Sequence, residues 1–244
     1  MPAVGVALPL VEDVVSWVKD SFEDCGVMAV ALGLKYACVA LDTGGAGVAY
    51  VFREWHSVPG CCGGLWRKSA FELVDLARSW NLSEASIGTA AINAFAAPLE
   101  YEVINVSRRI AELSKECRKV VFVGYFKPLL KYVESPIVLE KRPMPGVLPD
   151  EAYEEVLSSC DLAVISGSAF VNKSLERLLK ASAGYTIVVG PTTPLTEVLF
   201  GYGADELAGA VVIDPGKALH IVMEGGGRHE LGGALRFVSM KSRR

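Results

Sequence analysis

The spacing of apolar residues predicts that the first half of the chain begins with a helix and a hairpin. Apolar side chains recur at helical spacing over Leu10–Phe22, which predicts an amphipathic helix. Two strand-like runs follow, Val27–Leu41 and Ala46–Arg53. The turn between them, Asp42–Gly45, consists of residues that tolerate a positive φ, so the two runs are predicted to pair as a hairpin.

Two further helices are predicted before residue 100. The first has Leu73, Leu76, Ala77 and Trp80 on one face, and the second covers Ser83–Ala97. Pro98 follows, and a domain boundary is expected near Pro98–Tyr101. The predicted domains are therefore residues 1–100 and 101–244.

The second half alternates short apolar runs with helical patterns, which is typical of a parallel sheet covered by helices. The predicted strands lie near Val120–Val123, Ile137–Leu139, Leu162–Ile165, Thr186–Val189 and Ala210–Ile213. In such sheets ligands bind outside the carboxyl ends of the strands, so the residues that follow each strand are the candidates for a site. They include Gly124, Glu140, Ser166, Gly167 and the Gly-Pro-Thr-Thr-Pro turn at 190–194.

The turn at 190–194 has two interpretations. Thr193 could be the N-cap of a helix with Pro194 at its first position, which would leave free amide groups facing a polar or anionic ligand. The same residues could instead form only a rigid connection. The sequence of the turn alone does not favour either interpretation. Its predicted place beside Glu140 and Ser166 on one edge of the sheet favours a ligand site.

Composition and charge exclude several classes of protein. The chain has 244 residues, 51% of them hydrophobic, and a net charge of -4 without a basic stripe, which disfavours a nucleic-acid partner. The apolar stretch from Val27 ends at Lys35 and is too short for a membrane span, and no basic leader precedes it. We expect a cytoplasmic protein. The absence of glutamine and the presence of only four asparagines are typical of a heat-adapted source.

Known nucleotide motifs are absent from the sequence. Gly124 is followed by Tyr, Phe and Lys rather than by further glycines, so the dinucleotide fingerprint is missing, and no P-loop pattern occurs. No histidine falls on the predicted sheet edge, which leaves no Ser/His/Asp triad.

The six cysteines include one candidate soft-metal site. Cys61 and Cys62 are adjacent, and His56 lies five residues before them, so thiolate and imidazole ligands could bind zinc or a softer ion. Adjacent cysteines seldom give two well-placed ligands to one tetrahedral site, and the alternative is that these residues are structural.

Three polar residues have both a functional and a structural interpretation. Glu140 could accept a ligand hydroxyl or amine, or it could be a solvated charge at a strand end. Asn172 could contact a ligand, although a helix N-cap is the more common role in that position. Asn93 lies among alanines, where its amide needs a partner, either a ligand or a neighbouring backbone group.

Several segments together resemble a known family. They are Ser86–Ala94, Val138–Glu140, Asp161–Gly167 with Asn172–Ser174, and Gly190–Pro194, and they resemble those of the putative heavy-metal chelation family. Members of this prokaryotic family combine a small enolase-N-terminal-like α+β domain with a Rossmann-like domain that has a mainly parallel sheet. The resemblance runs in order over nearly the whole chain and implies the same α/β fold here.

The resemblance also implies a ligand site in the cleft between the two domains. By motif, the site residues would be Gly88, Asn93, Glu140, Ser166, Gly167, Asn172, Gly190, Pro191, Thr192 and Thr193. The implied ligand is a small molecule, a metal ion or a metal chelate. The cysteine pair has no counterpart in this pattern.

Three hypotheses about function follow. The first is binding of a small molecule or metal chelate in the cleft, with a role in heavy-metal chelation. The second is a transferase or lyase that uses a nucleotide-like or methyl-donor cofactor, with Glu140 as the ribose-binding acid. The third is direct metal binding by Cys61 and Cys62. The sequence leaves open the ligand, any reaction, and whether the chain forms a homo-oligomer.

Overall fold

The computed structural model describes residues 8–53, 57–97 and 101–243. Its first half contains three helices and a three-stranded antiparallel sheet of order β1-β2-β3. The elements are α1 (Pro9–Ser21), β1 (Val27–Leu32), β2 (Tyr36–Leu41), β3 (Ala46–Tyr50), α2 (Ala70–Asp75) and α3 (Leu82–Phe95). The first helix and the helix over Ser83–Ala97 are therefore confirmed to within two residues.

The hairpin prediction was wrong in one respect, because the chain forms three strands here and not two. The predicted strand Val27–Leu41 is interrupted at Gly33, whose N–H donates to the Tyr36 carbonyl in a tight turn. Gly33 packs so closely on the backbone of Val222 that a Cβ would overlap its carbonyl oxygen. The turn from β2 to β3 at Asp42–Gly45 is as predicted, and it sets Tyr36 opposite Tyr50.

The predicted helix through Leu73 and Trp80 is also shorter than expected. After Ser69, whose hydroxyl accepts from the Glu72 N–H in a capping box, α2 ends at Asp75 and continues only as a 3₁₀ turn over Leu76–Arg78. Gly88 of α3 lies directly against this turn, at Ala77. The two helices therefore approach each other closely at the point where α2 gives way to the 3₁₀ turn.

The second half contains a mainly parallel sheet with covering helices, as predicted, but the sheet has eight strands and not the five that were expected. Its strands are β4 (Glu102–Val103), β5 (Val120–Val123), β6 (Ile137–Glu140), β7 (Leu148–Pro149), β8 (Leu162–Ser166), β9 (Tyr185–Val189), β10 (Glu206–Val212) and β11 (Leu235–Lys241). Its helices are α4 (Val106–Leu113), α5 (Lys127–Leu130), α6 (Tyr153–Leu157), α7 (Ser168–Val171), α8 (Leu175–Ala181), α9 (Val198–Gly201), α10 (Pro215–Met223) and α11 (Arg228–Leu231).

The strand order β4-β11-β10-β9-β8-β5-β6-β7 extends the predicted sheet at both ends. The last predicted strand begins four residues earlier than expected, at Glu206, and pairs with the unpredicted antiparallel strand β11. The two-residue strands β4 and β7 could not be predicted from the sequence either, because they are too short to show a hydrophobic period.

Buried residues of both halves pack into shared clusters. One cluster joins Val14 and Ile87 to Ile165 and Val171, and another joins Val48 to Val222. Buried apolar surface is the main source of stability, so each half contributes to the stability of the other.

Within the described residues, no helix has both the length and the apolar character needed to cross a bilayer.

A buried ion pair closes the amino-terminal edge of the sheet. The Glu206 carboxylate is fully buried at the start of β10 and accepts hydrogen bonds from Arg109 at 2.7–3.1 Å. The hydroxyls of Tyr185 and Ser239 also donate to it, at 3.0 and 2.7 Å. Because its partners are all supplied by the protein, this cluster has a structural role, at the edge opposite the candidate site.

Candidate functional site

The sheet has a switch in strand order beside β5, and the candidate site is built there. From β5 the chain passes to β6 on one side, and β8 lies on the other side. The loops after β5 and β8 therefore leave in opposite directions and open a crevice at the carboxyl ends of the strands. Gly124 follows β5 with a φ of 106°, and a Cβ there would lie 3.3 Å from Cβ of Ser166.

A cleft of about 890 Å³ extends from this crevice and is lined by residues of both halves. This volume is within the range of sites for small organic molecules and cofactors. The polar and glycine residues of the lining that follow strands are Gly124, Glu140, Ser166, Ser168, Gly190 and Thr192. The first half contributes Tyr36, Tyr50 and Phe52.

The Glu140 carboxylate is held in place at the end of β6. One oxygen accepts from the Tyr125 N–H at 2.9 Å, and the other accepts from the Arg142 N–H at 3.2 Å. Each oxygen keeps a further lone pair, so the group can still accept a hydrogen bond from a ligand. The carboxylate is thus oriented by backbone groups of the loops on either side.

Thr192 in the Gly-Pro-Thr-Thr-Pro turn fastens the cleft wall to the first half. Its hydroxyl accepts from the Tyr50 N–H at 2.9 Å, and its carbonyl accepts from the Asn93 amide at 3.3 Å. The same amide donates to the Val48 carbonyl at 3.0 Å. Gly190 begins the turn with a φ of 112°, a conformation that favours glycine.

The helix that was predicted to start at Thr193 does not form, so that prediction was wrong. The Thr193 N–H donates to the Gly190 carbonyl at 3.0 Å, which closes a turn, and the next helix begins only at Val198. The Thr193 hydroxyl is buried and has no partner among the described residues. The segment therefore supplies a wall of the cleft rather than a helix N-terminus.

Two serines and an asparagine supply polar groups on the floor. The hydroxyls of Ser166 and Ser168 are 2.8 Å apart, and either can be the donor. Asn172 also lines the cleft, and its side-chain oxygen accepts from both the N–H and the hydroxyl of Ser174, at 3.1 and 2.6 Å. Asn172 therefore supports the start of α8, although Ser174 occupies the N-cap position.

The charged residues of the lining are mostly basic. The basic side chains are those of Lys141, Arg142, Arg177 and Arg228, and the acidic ones are those of Glu140 and Asp150. The Asp150 carboxylate lies 3.8 Å from the Lys141 ammonium and 3.9 Å from the Arg177 guanidinium, so its charge is shared between them. An excess of positive charge on the lining favours an anionic ligand.

The aromatic part of the lining was not identified from the sequence. Tyr36 and Tyr50 are partners across β2 and β3, and Phe52 follows Tyr50. Burial raises the pKa of the Tyr36 hydroxyl to about 12, so this group is a neutral donor at physiological pH. The turn at Asp42–Gly45 fixes the register, and this register could have identified the Tyr36–Tyr50 pair.

Six of the ten residues predicted from motifs line the cleft, and four lie behind its walls. The six are Glu140, Ser166, Asn172, Gly190, Pro191 and Thr192. Gly88 packs against Ala77, and Gly167 packs against Thr193. Asn93 bonds to backbone carbonyls, which is the structural alternative considered for it.

The soft-metal prediction stays a prediction, and within the described residues no group of three His, Cys, Asp or Glu side chains could hold an ion. All six cysteines are free thiols, and Cys61 and Cys62 lie in an outward-facing loop that does not line the cleft. His56, the third predicted ligand, lies outside the described residues.

Comparisons with known proteins identify relatives over nearly the whole chain. Two family models, both described as putative heavy-metal chelation, match residues 15–96 and 110–241. An uncharacterized protein of Methanocaldococcus jannaschii is 29% identical over 226 residues, which cover 85% of this chain and 87% of that protein.

Solved structures show the same fold. A protein of unknown function from Desulfitobacterium hafniense, assigned to the family of the second model, is 27% identical with a TM-score of 0.85, and the match covers 96% of this chain and 98% of that one. Its counterpart from Pyrococcus horikoshii is 24% identical with a TM-score of 0.83, covering 96% and 100%, and it supports the fold alone.

Proposed function

The chain belongs to the family described as putative heavy-metal chelation, and on that premise we propose that it binds a small anionic molecule or a metal chelate in the cleft. The observation that carries the proposal is the cleft itself. It has a volume of about 890 Å³, a floor at the switch in strand order and walls from both halves. Sites with this size and position in open α/β sheets bind small molecules.

The donor groups of the cleft fit a chelate better than a bare metal ion. Among the described residues of its lining, the carboxylates are those of Glu140 and Asp150, and they are flanked by the backbone N–H of Arg142 and by two cationic side chains. Among the described residues no third metal ligand joins them. A heavy metal would therefore enter as cargo, with most of its donor atoms supplied by an organic molecule.

A second candidate function is a transferase or lyase that uses a nucleotide-like or methyl-donor cofactor. It is favoured by the position of Glu140 at the end of β6, directly beside the first strand of the switch point. In related architectures an acidic residue at this position binds a ribose hydroxyl. The chain lacks the glycine-rich turn that normally accompanies it, so this candidate ranks second.

We also propose that two domains meet near residue 100. The proposal is supported by the two family models, which leave residues 97–109 between them. A cytoplasmic location, a heat-adapted source and a homo-oligomer remain predictions from the sequence.

Native mass spectrometry of the purified, untagged chain tests the first proposal. We expect a non-covalent adduct that is lost on denaturation and that is absent from Glu140→Gln. Glu134→Gln is the matched control, because Glu134 is exposed and does not line the cleft. An adduct that survives in Glu140→Gln would place the ligand elsewhere.

The nature of the adduct separates the candidate functions. A mass that matches a nucleotide or a methyl donor favours the second candidate, and a mass that contains a metal isotope pattern favours the first. If a metal adduct is instead lost in the double variant Cys61→Ser/Cys62→Ser and kept in Glu140→Gln, the thiolate hypothesis is correct.

A further inference from the structure

One end of the cleft is an aromatic surface. Tyr36 and Tyr50 have ring centroids 6.1 Å apart and nearly perpendicular planes, and Tyr50 and Phe52 repeat this arrangement at 5.1 Å. Phe237 of β11 also lines this part of the sheet. Tyr36 is only 7% exposed, so its ring is fixed by packing. The aromatic ring of a ligand is a favoured partner for such a surface, since aromatic pairs prefer edge-to-face and offset contacts.

Among the described residues that line the cleft, Arg228 is the cationic side chain at this aromatic end. The Arg228 guanidinium lies 5.0 Å from the ring centroid of Phe237, in the range of a cation–π contact that orients it. In the described part of the chain, no carboxylate lies within ion-pair distance of Arg228. Arg228 is therefore available to form a planar, two-point contact with a carboxylate from outside the protein.

The acidic residues of the cleft lie at its other end. Glu140 ends β6, whereas Phe237 belongs to β11, and five strand-to-strand gaps separate these strands. At about 4.8 Å per gap, this distance is roughly 24 Å. An anionic group beside Arg228 is therefore far from both carboxylates, and a ligand that also contacts Glu140 extends along the cleft from this end.

We propose that the ligand contains a planar aromatic acid, whose ring packs on Tyr50 and Phe52 and whose carboxylate binds Arg228. This inference rests on the proposed function of the cleft and specifies its ligand class. For a chelate, the aromatic acid is the organic part that brings the metal. Because the ring contacts Tyr50 and Phe52, the aromatic acid should bind about tenfold more tightly than an aliphatic acid of the same charge.

The test uses two metal complexes that have the same kinds of donor atom and the same charge, one with an aromatic ring and one without. Pyridine-2,6-dicarboxylate and iminodiacetate present the same oxygen–nitrogen–oxygen donors and the same charge, and only the first is aromatic. The 1:1 Ni²⁺ complex of each is titrated into the untagged full-length protein by isothermal calorimetry. We expect the aromatic complex to bind about tenfold more tightly.

Variants assign the preference to the named residues. Phe52→Leu should reduce the ratio of the two affinities to about twofold or less, and Arg228→Met should weaken the aromatic complex at least fivefold. Phe71→Leu and Arg236→Met are the matched controls, since neither residue lines the cleft, and they should leave both affinities unchanged. If Phe52→Leu does not fold, Tyr50→Leu replaces it.

The outcomes separate the inference from the proposed function. Equal binding of the two complexes overturns the aromatic inference and leaves chelate binding intact. Binding of neither complex contradicts both. A preference for the aromatic complex that persists in Phe52→Leu, Tyr50→Leu and Arg228→Met would place the ring at another surface and overturn the inference as well.

Discussion

Two neighbouring threonines allow the attachment of the cleft wall to be measured with a matched pair of variants. Thr192 and Thr193 are 3% and 1% exposed, so neither hydroxyl can be hydrated by bulk water. The Thr192 hydroxyl accepts from the Tyr50 N–H, whereas the Thr193 hydroxyl has no partner among the described residues. Replacement of each by Val makes the same chemical change in two different hydrogen-bonding states.

We expect Thr192→Val to destabilise the protein by about 1–3 kcal/mol, because the part-buried Tyr50 N–H loses its acceptor. Thr193→Val removes a polar atom that had already lost its hydration, which should be stabilising. Its new methyl group lies against Gly167, where the packing is tight, and this contact offsets the gain. The net change for Thr193→Val should therefore be within about 0.5 kcal/mol of zero.

Urea denaturation followed by tryptophan fluorescence and circular dichroism measures both changes. The slope of the free energy against urea should be the same for the three proteins, so that a shift in midpoint reports stability. Equal destabilisation by the two substitutions would refute the reasoning, because it would mean that the Thr192 hydrogen bond contributes nothing specific. A loss confined to Thr193→Val would refute it as well.

Three further predictions, two of them with a control variant, have defined outcomes in the same assay. Burial lowers the pKa of Lys173 to about 8, from 10.5 in the unfolded chain. Between these two pH values the unfolded chain keeps a proton on Lys173 that the folded chain has lost. The stability of the wild type relative to Lys173→Met should therefore rise with pH across that window, by at most about 3 kcal/mol. A constant difference would contradict this. Gly88→Ala should cost about 3 kcal/mol, because its Cβ would overlap backbone, whereas Gly201→Ala, which meets nothing, should not destabilise. Glu206→Gln should cost about 3 kcal/mol and the exposed Glu102→Gln less than about 1 kcal/mol.

The elements with a strong period could be predicted from the sequence, and those defined by tertiary contacts could not. The parallel strands and α1 carry uninterrupted apolar patterns that depend only on local sequence. The break at Gly33 depends on its packing against Val222, which is distant in the chain. The early end of α2 lies at its close contact with Gly88, another contact that a local pattern does not report.

The residues of the candidate site also differ in whether they could be predicted from the sequence. Residues that directly follow strands, such as Glu140 and Ser166, were found because the sheet rule places them at one edge. Tyr36 and Phe52 were missed because only the packing of the two halves brings them to that edge. Asn93 was recognised as an amide that needs partners, but the sequence could not choose between a ligand and the carbonyls of Val48 and Thr192 that it binds.

The double attachment of Thr192 has a consequence for how this protein can change its ligand over evolution. The wall that Thr192 forms is part of the folded scaffold, and substitutions there carry a penalty in stability. Residues 141–146, by contrast, are exposed and lie on the opposite side of the cleft. Exposed positions of this kind tolerate most substitutions with little change in stability. New ligand preferences can therefore arise through the 141–146 segment while the wall at Thr192 stays the same.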